Sequence, residues 1–198
     1  MALGASLLAA ATALLAAVAP AAQVPDGWDV DPAASSVTFE VRHLVVSRVE
    51  GRFGDFEVTV TGSAPAFADA SVRAVVEIRS VRTGDDERDE DILKPAFLDA
   101  DRFPRAYFVS RRIEPRGSDR WKMTGDLTLK GTSRSIELDV RRDGPVAGGR
   151  MRMIATGTID RFEFGIRHNP IVETGGAVIA RDVELTFAIT LIRRIATQ

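Results

Sequence analysis

Apolar and polar residues alternate along most of the chain, and the clearest example runs from Val37 to Val60. In its first half one side is apolar except for a single imidazole, and its members are Val37, Phe39, Val41 and His43. A two-residue period is that of a half-buried β-strand. The pattern restarts after Glu50-Gly51, a turn or bulge signal, so the stretch predicts two neighbouring strands. Their inward face of apolar side chains with one polar group indicates a container.

The same alternation recurs before and after this stretch. A short opening strand is predicted at residues 28–32, and further strands are predicted at 71–80, 106–113, 121–130, 136–140, 150–162 and 181–191. Roughly eight or nine amphipathic strands joined by short turns predict an all-β fold in an antiparallel meander. Such a sheet must close into a barrel or fold into a two-layer sandwich, because open edges aggregate. The alternation alone leaves both open.

One segment breaks the rhythm of the strands. Thr83-Gly84-Asp85-Asp86 offers a helix cap, and Asp85 to Leu93 predicts a short helix with acidic residues in its first turn. Pro95 limits its length, and Ile92 with Phe97 gives it an apolar side. In a barrel of about eight strands the interior holds side chains or one small ligand. We expect the helix to cap one mouth of such a barrel.

The first 22 residues differ in composition from the rest. They carry no charged side chain, consist mostly of Ala, Leu and Val, and end near Ala19-Pro20-Ala21, which resembles a cleavage site. This predicts a signal peptide over 1–22 that is cleaved, a single domain over 23–198, and a periplasmic or secreted protein. The alternative is an uncleaved anchor helix, since the apolar run approaches the length that spans a bilayer.

Composition and charge exclude several function classes. The 198 residues include no cysteine, which excludes disulfides and thiolate catalysis, and the net charge of −2 comes without a basic stripe for nucleic acid. The two distant histidines give no metal-ligand spacing, so no metal site is predicted. The common hydrolase, metalloprotease and nucleotide-binding motifs are missing, and nothing in the sequence indicates an enzyme.

Several short blocks, taken together, resemble the YceI family of polyisoprenoid-binding proteins. In chain order they are Asp31-Pro32, Ser35-Ser36-Val37-Thr38-Phe39, Val41-Arg42-His43-Leu44, Gly51-Arg52-Phe53-Gly54-Asp55-Phe56, Val81-Arg82-Thr83-Gly84, Arg88-Asp89, Phe103-Pro104 with Phe108, Gly125-Asp126-Leu127-Thr128-Leu129-Lys130-Gly131, and Arg161-Phe162-Glu163-Phe164-Gly165-Ile166. They extend from about Trp28 to Leu191, nearly the whole chain after the predicted signal peptide.

The resemblance implies a lipocalin-like antiparallel barrel that holds a long isoprenoid or similar lipid in an apolar channel. It implies no resident cofactor other than such a lipid or a quinone. On this basis the predicted ligand-binding residues are Phe39, His43, Phe53, Phe56, Phe97, Phe103, Phe108, Leu127, Arg161 and Phe164. Two positions depart from the family pattern, where Asp91 and Leu98 replace a histidine and a phenylalanine. The helix mouth is therefore more acidic and less aromatic than in the family.

The polar candidates each have an alternative interpretation. His43 is either a core histidine bonded to a carbonyl or acid, a contact for a lipid head group, or a catalytic group. Arg161 is either the buried partner of a carboxylate or a ligand contact. His168 is predicted as a surface residue. The acidic run from Asp85 to Asp91 lacks the ligand spacing of a calcium loop and is predicted to be a solvated helix face.

These observations favour a carrier that shields an isoprenoid or other long-chain lipid, with transient membrane contact and a homodimer as further expectations. One alternative is an enzyme that acts on a lipid or quinone held in the barrel. Another is an interaction module for stress conditions in which the lipid is structural. No nucleic-acid partner is expected.

Overall fold

The computed structural model of the protein describes residues 27–43, 47–62, 67, 69–169 and 179–194. The predicted signal peptide over 1–22 lies outside the described residues. In the described part no helix combines the length and hydrophobicity needed to cross a bilayer.

The described residues form one antiparallel sheet. Its strands, in chain order, are β1 (Gly27–Val30), β2 (Ser36–His43), β3 (Ser47–Phe53), β4 (Phe56–Thr61), β5 (Ser71–Glu77), β6 (Val81–Arg82), β7 (Arg105–Pro115), β8 (Arg120–Leu129), β9 (Thr132–Arg142), β10 (Arg150–Asp160) and β11 (Ile179–Arg193). One α-helix, α1 (Asp86–Leu93), lies between β6 and β7, and 3₁₀ turns occur at Pro32–Ala34, Ile78–Ser80 and Arg161–Phe164.

The sheet closes into a barrel of eight antiparallel strands, as predicted. Three of the eight positions in the ring are each occupied by two successive strands with a break between them. These pairs are β1 with β2, β3 with β4, and β5 with β6. The first interruption is the 3₁₀ turn at Pro32–Ala34, where Asp31 caps the turn by accepting a hydrogen bond from the backbone of Ala33 at 3.1 Å. Closure settles the choice between barrel and sandwich.

Strand β11 makes the closing seam. One edge pairs with β10 from Arg150↔Ile192 to Asp160↔Asp182. The other edge pairs with β2 and then with β1, ending at Trp28↔Arg193. The seam gives β11 a partner on each of its two edges and so closes the ring of described strands, which is how a barrel limits the aggregation risk of exposed strand edges.

The alternating rows predicted from sequence point into the barrel. On β5 and the turn after it, Ala74, Val76 and Ile78 are buried, and on β8 Trp121, Met123 and Leu127 are buried. At the end of the barrel remote from α1, Phe67 packs between Trp28 and Trp121, with both pairs of ring centroids 5.8 Å apart. All three aromatic side chains are buried, so they seal this end, which we call the rear.

Candidate functional site

The barrel contains an apolar cavity that opens at the end carrying α1. Its volume is about 470 Å³, which lies in the range of about 300–1,000 Å³ that is typical of small-molecule sites. We call it the front chamber. Most of its wall is aliphatic or aromatic, and the polar residues that line it are Thr38, His43, Asp85, Glu87, Arg88, Asp91, Tyr107, Arg161 and His168.

Most of the aromatic residues predicted to bind a ligand do line this chamber. The predicted residues found in its wall are Phe39, His43, Phe53, Phe97, Phe108, Leu127 and Arg161. Phe39 and Phe53 lie on neighbouring strands with ring centroids 5.6 Å apart. Their binding role stays a prediction.

Three predicted residues lie elsewhere. Phe164 is only 1% exposed and fills the core beneath the sheet. Phe56 packs against the core clusters near Trp28 and Val37. The ring of Phe103 lies against Gly131, where an added Cβ would come within 2.5 Å of it. The structure therefore does not bring these three rings into the chamber wall.

Glycine explains how one large ring fits into the wall. Phe39 on β2 faces Gly51 on β3 in the pairing register. A Cβ at Gly51 would lie 2.2 Å from Cζ of Phe39, so the ring rests directly on the glycine backbone. A side chain at this position would require the ring to move, because it would occupy the space that the ring now fills.

His43 lies at the open end of β2 and is half-buried in the chamber wall. The described residues offer its imidazole no hydrogen-bond partner. This differs from the interpretation of His43 as a core histidine bonded to a carbonyl or acid. A half-buried imidazole at the mouth can donate or accept a hydrogen bond to a ligand.

Arg161 has partners that neither interpretation of the sequence foresaw. Its guanidinium donates to four backbone carbonyl oxygens, those of Ile166 at 2.6 Å, Ala180 at 2.8 Å, His168 at 2.9 Å and Ile179 at 3.1 Å. The side chain is 4% exposed. Burial lowers the pKa of Arg161 from its usual value, and the nearby charge of Asp160 opposes that shift. The proposed carboxylate partner is wrong; the bonds are to backbone carbonyls.

These four bonds fix one rim of the chamber. Arg161 ties the segment that follows the 3₁₀ turn at Arg161–Phe164 to the start of β11. Asn169 reinforces the tie, because its side-chain amide exchanges two hydrogen bonds with the backbone of Ile179, at 3.0 and 2.9 Å. Arg161 therefore positions the rim, and it also lines the chamber.

The helix α1 forms the opposite rim, as predicted for a cap over the mouth. Asp85 is its N-cap and accepts a hydrogen bond from the backbone of Arg88 at 3.0 Å. Asp89 is buried rather than solvated, which corrects the prediction for the acidic run. Its carboxylate accepts hydrogen bonds from the backbone and hydroxyl of Thr83, at 2.8 and 2.6 Å. Glu87 and Asp91 lie in the chamber wall.

Two further contacts hold the turn that follows α1. The ammonium group of Lys130 donates to the carbonyl oxygen of Pro95 at 2.8 Å. The ring of Phe97 meets the imidazole of His168 at 4.9 Å between centroids. His168 is exposed, as predicted, but it also lines the mouth of the chamber, which the sequence did not reveal.

A smaller cavity lies behind the front chamber. Its volume is about 100 Å³, and every residue that lines it is apolar. We call it the rear chamber. Phe67 and Trp121 bound it at the sealed end, and Ala74, Phe108 and Phe187 line both chambers.

Several lining residues were not among those predicted. Val183, Leu185 and Phe187 belong to the inward row of β11, so the alternation did place them on the correct face. For the acidic residues of α1, the resemblance indicated an acidic helix mouth at Asp91, whereas the place of Asp85 and Glu87 in the chamber wall depends on how the helix docks. Within the described ranges, no three His, Asp or Glu side chains are grouped to hold a metal ion.

Comparisons with known proteins agree with this geometry. Residues 28–191 match the YceI-like domain family. A UPF0312 protein of Staphylococcus aureus (strain USA300) is 34% identical over 159 residues, which cover 78% of this chain and 90% of the relative. The crystal structure of Burkholderia cenocepacia BcnA has a TM-score of 0.73 and 26% identity, covering 82% of this chain and 99% of that one.

A more distant structure shares the fold. A polyisoprenoid binding domain from Saccharophagus degradans, implicated in plant cell wall breakdown, has a TM-score of 0.63 at 16% identity. The match covers 85% of this chain and 99% of that domain. At this level of identity the likeness concerns the barrel itself.

Proposed function

Since this chain belongs to the YceI-like family, we propose that its barrel binds a long-chain isoprenoid or similar amphiphilic lipid and carries it through the periplasm. The tail lies in the front chamber, and the polar head lies at the mouth between α1 and the rim held by Arg161. Loading involves transient contact with a membrane. The predicted signal peptide directs the protein to this compartment.

The observation that carries the proposal is an apolar chamber of about 470 Å³ inside a closed barrel, with α1 at its mouth. Its wall is long enough for an extended chain, because β2 lines it from Val37 to His43 and rises about 3.3 Å per residue, roughly 20 Å along the strand. The description of the Saccharophagus domain as polyisoprenoid-binding supports this class of ligand.

The energetics favour a carrier over a permanent store. Burial of each CH₂ is worth about 0.8 kcal/mol relative to water, so the tail does not escape into solvent. A membrane shields the same carbons from water, so extraction into the barrel gains little net free energy. A protein that binds the tail in this way can therefore both accept a lipid from one membrane and release it to another.

The polar side chains at the mouth of the front chamber also favour a binding role. His43, Glu87 and Asp91 line the chamber on the side of α1, where we place the polar head group, and the carboxylate of Asp91 also pairs with Lys94 at 2.6 Å. The imidazole can donate to a quinone oxygen, and the carboxylates can accept from a hydroxyl or a phenol. The family match supports a binding protein in the same way.

The test is to purify the protein without detergent and to analyse an organic extract by mass spectrometry. Val183→Trp places an indole in the front chamber, and Glu184→Trp places the same ring on the outer face of β11 as a matched control. We expect an isoprenoid in wild type and in Glu184→Trp at about one per protein, and little in Val183→Trp. Lipid-free wild type, or equal loading of a folded Val183→Trp variant, contradicts the proposal.

The proposed location needs a separate measurement. Expression of the full chain followed by N-terminal sequencing of the periplasmic fraction identifies where the mature protein begins. We expect a start close to Gln23. Full-length protein retained in the membrane fraction supports the uncleaved anchor instead.

A further inference from the structure

The division of the barrel interior into two chambers has a consequence for the length of the ligand. We propose that Phe108 and Phe187 form a partition that sets the longest tail the barrel accepts. This inference rests on the proposed function, because it assumes a lipid tail in the front chamber. Both rings line the front chamber and the rear chamber, so they stand where the two meet.

The two rings come from opposite walls. In the eight-strand ring β7 and β11 are four strands apart, so Phe108 on β7 and Phe187 on β11 project inward from opposite sides. Ala74, the register partner of Phe108, is the third residue shared by both chambers. Its small side chain leaves the space at this level to the two aromatic rings.

The position of Phe108 is fixed by its surroundings. The residue is 5% exposed, and its ring lies over Gly125 on β8. A Cβ at Gly125 would be 2.4 Å from Cζ of Phe108 and 2.6 Å from the carbonyl oxygen of Val109. The ring therefore has one well-defined place in the wall. Phe187 is less buried than Phe108 but packs against all three core clusters, so the stability of each Phe187 variant is measured beside its affinity.

The rear chamber, behind the partition, has a lining suited to further apolar carbons of a lipid tail. The rear chamber is lined by apolar side chains alone, and an apolar cavity of this kind stays dry. Trp28, Phe67 and Trp121 seal its far end. With both rings present the tail stops at the partition, and removal of one ring joins the rear chamber to the front.

The experiment measures affinity against tail length. Geraniol, farnesol, geranylgeraniol and solanesol form a series of isoprenoid alcohols, and each displaces a fluorescent naphthalene sulfonate probe from the full chain. For wild type we expect affinity to rise with length and then to level off. In Phe187→Ala we expect the affinity to continue rising for at least one more isoprene unit. The variant should bind the first alcohol beyond the wild-type plateau about tenfold more tightly than wild type does.

Phe53→Ala is the matched control, because Phe53 lines the front chamber but not the rear one. It enlarges the cavity on the mouth side of the partition, so its plateau stays at the wild-type length. A more conservative Phe187→Leu variant and a urea unfolding curve for each protein ensure that folded molecules are compared. We expect Phe187→Leu to shift the plateau in the same direction by a smaller amount.

The outcomes separate the two proposals. If the alcohols bind but Phe187→Ala keeps the wild-type plateau, or if Phe53→Ala shifts it equally, the partition has no role in length selection. If no alcohol displaces the probe from wild type or from any folded variant, the proposed lipid-binding function is itself wrong.

Discussion

The ring of Phe97 and the imidazole of His168 meet across the mouth of the front chamber, with centroids 4.9 Å apart and planes inclined by 62°. Phe97 belongs to the turn that follows α1, and His168 belongs to the rim held by Arg161. This edge-on contact therefore joins the two sides of the opening through which a ligand must pass.

The contact predicts a faster release of ligand when it is removed. Aromatic pairs of this type contribute about 0.5–1.5 kcal/mol. We expect His168→Ala to raise the release rate of a fluorescent farnesol analogue by between about twofold and tenfold, as measured by stopped-flow fluorescence. His168→Phe keeps a ring against Phe97 and should release the analogue at a rate near that of wild type. Equal acceleration in both variants contradicts this role.

Arg161 predicts a large effect on stability. Arg161→Met removes the buried guanidinium that donates to four carbonyl oxygens at the rim, of which that of Ile179 keeps a donor in Asn169, and we expect a loss of about 3 kcal/mol in the free energy of unfolding, measured with urea. Arg181→Met is the matched control, since both guanidinium groups lie 4.8 Å from the ring of Phe162. The Arg181 side chain is exposed, so its removal should cost much less. Similar losses in the two variants would rule out the carbonyl contacts as the cause.

Asp160 predicts a pH dependence of stability. Its hydrogen bond with Arg181, and a second from the backbone of Phe162, hold the pKa of the Asp160 carboxyl below its usual value. A carboxyl whose pKa is lower in the folded than in the unfolded protein stabilises the fold above the unfolded pKa. That stability is lost as the pH falls below about 4 and through the folded pKa.

Asp160→Asn should reduce this loss, because the amide oxygen can still accept from Phe162 whereas the charge is gone. The measurement is the urea midpoint of both proteins between neutral and strongly acidic pH. High salt should diminish the difference, since Asp160 and Arg181 form a surface pair. If Asp160→Asn loses as much stability in acid as wild type does, Asp160 is not the cause of that loss.

Two glycines predict unequal costs for the same substitution. A Cβ at Gly125 would meet the backbone oxygen of Val109 at 2.6 Å, so Gly125→Ala requires strand β7 or β8 to move and should cost about 1–3 kcal/mol. A Cβ at Gly51 meets only the far end of the Phe39 ring, which can rotate for about 1 kcal/mol or less. Urea unfolding of the two variants compares them. A Gly51→Ala variant that is the less stable of the two contradicts this ranking.

The sequence predicted the barrel well because alternation reports which face of a strand is inward. The rows through Ala74 and Trp121 are buried as expected, and the helix after Asp85 caps the mouth. Alternation does not report depth. Phe108 and Phe164 belong to the same core cluster, yet Phe108 lines a chamber from β7 whereas Phe164 lies in a 3₁₀ turn, to which a strand pattern does not apply.

Contacts between distant segments were equally hidden from the sequence. The partners of Arg161 lie up to 19 residues away and are backbone carbonyl oxygens. Every residue has such an oxygen, so the residue types do not reveal which of them accept from Arg161. Phe67 seals the rear with a backbone φ of 50°, which few residues other than glycine adopt. The contacts of Arg161 and of Phe67 both depend on how distant segments come together when the barrel closes.

The seam along β11 also determines how the protein can fold. It joins Trp28 to Arg193 and so creates contacts of very high sequence separation, which slow folding because loop-closure entropy must be overcome first. Before β11 pairs, β2 and β10 are edges of an open sheet that can join with other chains. A chain in which β11 has not yet paired therefore exposes both of these edges at once and is prone to aggregate.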